Sequence, residues 1–204
     1  FLADYFDVEA VLIFNSGYVA NLALLSSVPQ KGDTITMDEY IHASLKDGVR
    51  LGFATKYSFK HNDLIDLENK LRKAEGNVFV VIETLYSMDG DFAPVEAIVQ
   101  LVKQYNAYLV VDEAHTTGIY GHRGNGFLHE KNSAAEVPFK VYTFGKAMGI
   151  HGACIAGSAA LKDYLINFAR PFIYTTAMSP HSFAAVAAAF EWVSDRPMIN
   201  APLM

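Results

Sequence analysis

The sequence predicts an α/β protein, a three-layer sandwich around a mainly parallel central sheet. Three observations predict it. Seven short apolar runs punctuate the chain, amphipathic stretches separate them, and several runs are unbroken apolar, as strands covered on both faces must be. Strand–helix alternation at this spacing implies right-handed crossovers between strands.

The runs are AVLIF (10–14), TITM (34–37), KYSF (56–59), VFVVIET (78–84), YLVVDE (108–113), VYTF (141–144) and ACIAGS (153–158). Between them, NDLIDLENKLRKAE (62–75) sets Leu64, Ile65, Leu67 and Leu71 at helical spacing, with an Asn-led start and basic residues late. PVEAIVQLVKQYN (94–106) opens on a helix-starting proline and puts Val95, Ile98, Val99 and Val102 on one face. AALKDYLINFA (159–169) and HSFAAVAAAFEWVS (181–194) complete that set. NSGYVANLALL (15–25) reads as a strand–turn–helix junction, and His42 heads another helix pattern. GHRGNGFLHEKNSAAEVP (121–138) reads as a long, flexible polar loop. Its glycines do not join a strand directly to a helix, so they are not a nucleotide fingerprint.

Composition narrows the function classes. At 204 residues the chain supports one large domain with a real core. The 16 Lys+Arg against 22 Asp+Glu give a formal charge of -6 without a basic run, so no nucleic-acid partner is expected. The single cysteine, Cys154, excludes an intrachain disulfide and sits in a small, apolar stretch that suits a buried, inert thiol. No run of 18 apolar residues suggests a membrane span. The chain starts at Phe1 and stops soon after a helical pattern, so a longer protein is expected.

In α/β sheets ligands gather at the carboxyl ends of strands. Those ends read NSGY (15–18), DEYIHASL (38–45), ETLYSMDGD (83–91), DEAHTTG (112–118) and TFGK (143–146), where polar, ionisable and glycine residues collect. Singly, each has a bland reading. Ser16 and Gly17 suit an N-cap and turn, His42 and Asp112 suit caps, and Lys146 suits a solvated amine at a strand end. Asp112, Glu113, His115 and His122 could instead ligate a metal, although neither HExxH nor paired cysteines accompany them. Together and in this order, the residues match what pyridoxal phosphate requires. A buried lysine amine bonds the aldehyde, a carboxylate keeps the pyridine nitrogen protonated, and a helix N-terminus takes the phosphate.

SGYVAN, HASLKDGVRL, ETLYSMDGDFAP, VVDEAHTTGIYGHRGNG, TFGKAMGIHGA and FIYTTAMSP resemble the α-oxoamine synthases over nearly all of residues 1–194. These fold-type I pyridoxal-phosphate enzymes condense an amino acid with an acyl-CoA and release CO2 and CoA. The resemblance implies that Lys146 binds the cofactor covalently and later removes the amino acid's α-proton. It implies that Asp112 pairs with the pyridinium nitrogen, His115 hydrogen-bonds the ring's phenolic oxygen and His42 stacks on the ring. Gly17 and Tyr18 would lie near the cofactor, and Glu83, Ser87 and Thr143 would line the site. Thr176 would reach the phosphate of a neighbouring subunit, implying a homodimer with shared active sites; a cytoplasmic location is expected as well. Residues 1–194 would be the cofactor-binding large domain, shortened at its N-terminal side. Residues 195–204 would begin the connection to a small C-terminal domain carrying the arginine for the substrate carboxylate.

Within the family, TFGKAMGIHGA is most similar to the branch that joins L-alanine to pimeloyl-CoA. HASLKDGVRL is shared with the branch that joins glycine to acetyl-CoA. An aminotransferase of the same fold and a cofactor-binding fragment without turnover remain open alternatives.

Overall fold

The computed structural model describes residues 1–196. A short helix α1 (Leu2–Tyr5) leads into β1 (Ala10–Phe14) and α2 (Gly17–Ser27). Strict alternation follows through β2 (Thr34–Asp38), α3 (Ala43–Leu51), β3 (Thr55–Phe59), α4 (Leu64–Leu71), β4 (Val78–Glu83), α5 (Val95–Gln104) and β5 (Tyr108–Asp112). The rest comprises α6 (Phe127–Glu130), β6 (Phe139–Thr143), β7 (Ala153–Gly157), α7 (Ala159–Phe168), α8 (Arg170–Ile173) and α9 (Pro180–Ser194).

The seven apolar runs form one sheet in the order β1-β7-β6-β5-β4-β2-β3. Only β7 runs against its neighbours; every other adjacent pair is parallel. Every residue of β4 and β7 is buried, so both faces of the sheet are covered there. Alternation along β6 and β7 divides the core. Val141 and Ile155 join the main cluster with α2, α3 and α5, whereas Tyr142, Cys154 and Ala156 face Phe6 of the N-terminal segment and Phe190 of α9. Cys154 is fully buried, and burial raises its thiol pKa, consistent with an inert packing residue.

The caps refine the sequence reading. Asp63, rather than Asn62, caps α4 by accepting the N–H groups of Ile65 and Asp66, both at 2.9 Å. Asn62 adopts a left-handed φ of 54° in the turn just before it.

The segment 121–138 is not a loose linker. Phe127, Leu128 and Val137 are buried, and α6 with a turn of 3-10 helix at Ala134–Glu136 organises it. The carboxylate of Glu113 ties it down, accepting the Phe127 N–H at 2.9 Å and the Leu128 N–H at 2.7 Å. Among the described residues no helix is long and apolar enough to cross a membrane. The expected connection at 195–204 lies, from residue 197 onward, outside the described residues.

Candidate active site

Strands β1, β2, β4, β5 and β6 run the same way, so their carboxyl ends share one edge of the sheet. The register pairs Glu83 with Asp112 across β4 and β5, and Asp112 with Val141 across β5 and β6. Paired residues of parallel strands share a face, as do residues two apart, so Glu83, Asp112 and Thr143 project together. From the end of β1 the chain turns through Ser16, whose Oγ caps α2 by accepting the Val19 N–H at 3.3 Å. A Cβ at Gly17 would overlap Thr143 Oγ1, so glycine lets the start of α2 sit directly on the end of β6.

Asp112 is buried and held from two sides. Its Oδ2 accepts from Asn21 Nδ2 at 2.7 Å and its Oδ1 from the Ala114 N–H at 2.8 Å. Burial raises its pKa, and the two hydrogen bonds and the nearby Lys146 oppose that rise. Glu83 beside it is pushed up to about 8, first by burial and then by the Asp112 charge. The backbone N–H of His42 donates to Glu83 Oε1, linking the start of α3 to this pair. The His42 ring is itself fixed, its Nδ1 accepting the Ser44 N–H at 3.1 Å.

Lys146 stands exposed at the mouth of the site, its Nζ in hydrogen-bond contact with His115 Nε2. Burial of the amine lowers its pKa, partly offset by Asp112 and Glu83. His115 falls to about 4, through burial and then the positive Lys146 and His42. Its ring is therefore neutral at neutral pH.

Gly17, Tyr18, His42, Glu83, Asp112, Thr143 and Lys146 line one cavity of about 110 Å³, and His115 reaches it through Lys146. Ser87 lies instead in an adjoining cavity of about 420 Å³ that shares His42. Thr176 is exposed and lines a third cavity beside β1, apart from Lys146. The metal alternative loses its geometry, because Asp112 turns toward Asn21 and Glu113 toward Phe127 and Leu128. Among the described residues no three His, Cys, Asp or Glu side chains gather into a metal-sized group.

Two contributors escaped the sequence reading. Asn21 and Ser44 line the cavity, and Asn21 Nδ2 also donates to Ser44 Oγ at 3.0 Å. Asn21 lies four residues past Gly17, on the same face of α2, which is the signal that could have found it. Among the described residues its buried Oδ1 has no hydrogen-bond partner. The set fits a flat aromatic ring carrying an aldehyde, a basic nitrogen and an anionic group. The amine suits the aldehyde, the buried carboxylate the nitrogen, and the N-terminus of the 11-residue α2 the anion.

The sequence profile of the family described as Aminotransferase class I and II matches residues 2–198. The chain is 41% identical over 198 residues to 8-amino-7-oxononanoate synthase of Lysinibacillus sphaericus, covering 96% of this chain and 51% of that one. A serine palmitoyltransferase from S. paucimobilis, solved with a bound PLP–myriocin aldimine, superposes with a TM-score of 0.91 at 31% identity. That match covers 95% of this chain and 49% of the other. The 8-amino-7-oxononanoate synthase of Francisella tularensis gives a TM-score of 0.85 at 31% identity, covering 98% of this chain and 58% of that structure. The chain spans about half the length of the curated relatives it matches.

Proposed function

The chain belongs to the aminotransferase class I and II family, and from that premise we propose that it is the cofactor-binding part of a pyridoxal-phosphate-dependent acyltransferase of the α-oxoamine synthase type. The reaction joins an amino acid, L-alanine, to an acyl-CoA, pimeloyl-CoA, with release of CO2 and CoA. The observation that carries this reading is the convergence of Lys146, His115, Asp112 and Glu83 on one pocket at the start of α2. The relatives named 8-amino-7-oxononanoate synthase support the choice of substrates.

Bound there, pyridoxal phosphate would supply an electron sink for the pair of electrons left when the amino acid loses its α-proton. Asp112 holds the proton at the pyridine nitrogen, and a cationic nitrogen beside it reverses the cost of burying the carboxylate. Lys146 would be the residue to hold the aldehyde, and its lowered pKa favours the free amine that such attachment needs. The same Nζ, when free, would be the base for the amino acid's α-proton. His115, neutral at working pH, hydrogen-bonds the phenolic oxygen of the ring. His42 packs over the ring face, its rotamer held by Ser44. The N–H groups of Gly17 and Tyr18, at the positive end of α2, receive the phosphate. Glu83 and Thr143 wall the pocket, and Ser87 faces the second substrate from the adjoining cavity. Thr176, which lines a different cavity from Lys146, serves the phosphate of a partner subunit in a cytoplasmic homodimer.

Incubation with pyridoxal phosphate should produce a visible absorption band, and borohydride should then fix the cofactor to Lys146. A band that Lys146→Ala leaves unchanged would sink the reading. Product analysis with L-alanine and pimeloyl-CoA separates it from an aminotransferase, which would yield a keto acid and no free CoA.

A further inference from the structure

The cavity of about 420 Å³ beside His42 is walled by two loops, residues 39–43 after β2 and residues 86–89 after β4. The groups that join these walls lie outside the cofactor pocket. His61, in the turn between β3 and α4, places Nδ1 2.9 Å from Asp38 Oδ1 and Nε2 2.8 Å from Asp91 Oδ2. Asp38 ends β2 and is fully buried. Asp91 lies on the hairpin closed by the Leu85–Phe92 bridge, and its carbonyl accepts the Tyr86 N–H at 3.0 Å.

A neutral imidazole has a single N–H and can donate to only one carboxylate. Only the doubly protonated ring donates to both carboxylates, which make the shorter contact of each nitrogen; Asn62 Nδ2 also stands 3.2 Å from Nε2. Asn62 braces both ends, its N–H donating to Asp38 Oδ2 at 3.0 Å and its Nδ2 to Asp91 Oδ2 at 2.8 Å. Tyr40 stacks on the ring at 4.5 Å and Tyr86 meets it edge-on at 4.5 Å. Glu39 completes the surroundings by accepting the His61 N–H at 2.9 Å. One end of the bridge thus belongs to the loop that carries His42, and the other to the hairpin that carries Ser87.

We propose that His61, an imidazolium clamped between Asp38 and Asp91, is a positioning residue that fixes the separation of the two walls and shapes the entry for the acyl-CoA. The acyl-CoA clause rests on the function proposed above; the clamp itself does not. Burial works against the ring's charge, and the hydrogen-bonded Asp38 and Asp91 outweigh it, so the His61 pKa is raised. A raised native pKa gives the clamp its full contribution below the ordinary imidazole value, about 6.5, and removes it as pH climbs through the native value.

The test compares the full chain with Asp91→Asn and His61→Gln. Nitrogen NMR of the wild type should find both His61 ring nitrogens protonated at pH 6.5, about the ordinary midpoint. Asp91→Asn should lower the His61 pKa and speed amide exchange across residues 85–92 by about tenfold. It should weaken pimeloyl-CoA binding by about five- to tenfold and leave pyridoxal phosphate affinity within about twofold. A ring that is neutral in the wild type, or exchange at 85–92 that the variant leaves unchanged, overturns the clamp. Equal losses for both ligands overturn its role in acyl-CoA entry. If His61→Gln merely unfolds the protein, Asp91→Asn still decides, because Asp91 is only partly buried and asparagine keeps its shape. A wild type that shows the clamp but takes up no pyridoxal phosphate sinks the functional reading and leaves the clamp standing.

Discussion

Lys146 and His115 share a hydrogen bond, and the Lys146 charge disfavours a second charge on the ring. Burial and the Lys146 amine hold His115 near a pKa of about 4, well under its value in an unfolded chain. A histidine lowered in this way costs stability as pH falls, because the unfolded state binds a proton that the native state refuses. The window runs from about 6.5, the unfolded value, down to the native value. The His115 ring signal should therefore titrate near 4 in the native protein, and Lys146→Met should move the midpoint upward by removing the nearby positive charge. A midpoint that stays put would mean that burial alone sets it. The sequence already set Lys146, Asp112 and His115 at or just past the ends of apolar runs, where α/β folds gather ligands, and the structure brings them together at one pocket. Asn21 was missed because its partner Asp112 lies 91 residues away, and its place one turn past Gly17 was the sole local sign.

At the scale of elements, all seven strands overlap the runs picked out in the sequence. Strands β4 and β7, buried at every residue, write that burial directly into composition, whereas the edge strand β3 is largely exposed. Segment 121–138 defeated the same reading. It is polar on average, and what orders it is one carboxylate from a distant strand end. Glu113 accepts from the Phe127 and Leu128 N–H groups and from the hydroxyls of Thr84 and Thr116. The Gly126 turn presses so closely that a Cβ there would stand 2.9 Å from Glu113 Oε2, at a φ of 107° that disfavours any side chain. Glu113→Gln keeps the shape and replaces one acceptor by an NH2 group that faces donors. A buried donor left unpaired costs about 1–3 kcal/mol. The unfolding free energy from urea titration should fall by that amount, with faster amide exchange at residues 127 and 128. An unchanged free energy would show that the segment is held by its buried Phe127, Leu128 and Val137 instead.

At the scale of the whole molecule, the remaining question is how Thr176 could serve a site that it does not touch in its own chain. Thr176 lies in the exposed stretch between α8 and α9, in a cavity formed with β1 and Phe172. Lys146 lies on the sheet edge after β6, in a different cavity. Under the proposed function Thr176 acts at the phosphate of a partner subunit, and the exposed Tyr174 and Phe183 supply apolar area that such a partner would cover. Subunit mixing tests this directly. Lys146→Ala removes the covalent attachment, and Thr176→Val removes a hydroxyl donor to the phosphate of the partner's site. In a mixed dimer, the chain with intact Lys146 faces the chain with intact Thr176, so one of the two sites is fully restored. An equal mixture, dissociated and reassembled, should bind pyridoxal phosphate at Lys146 with wild-type affinity in a fraction of its subunits, a population absent from either variant alone. If the mixture instead behaves as the sum of its parts, each site is built from a single chain and Thr176 has no part in it.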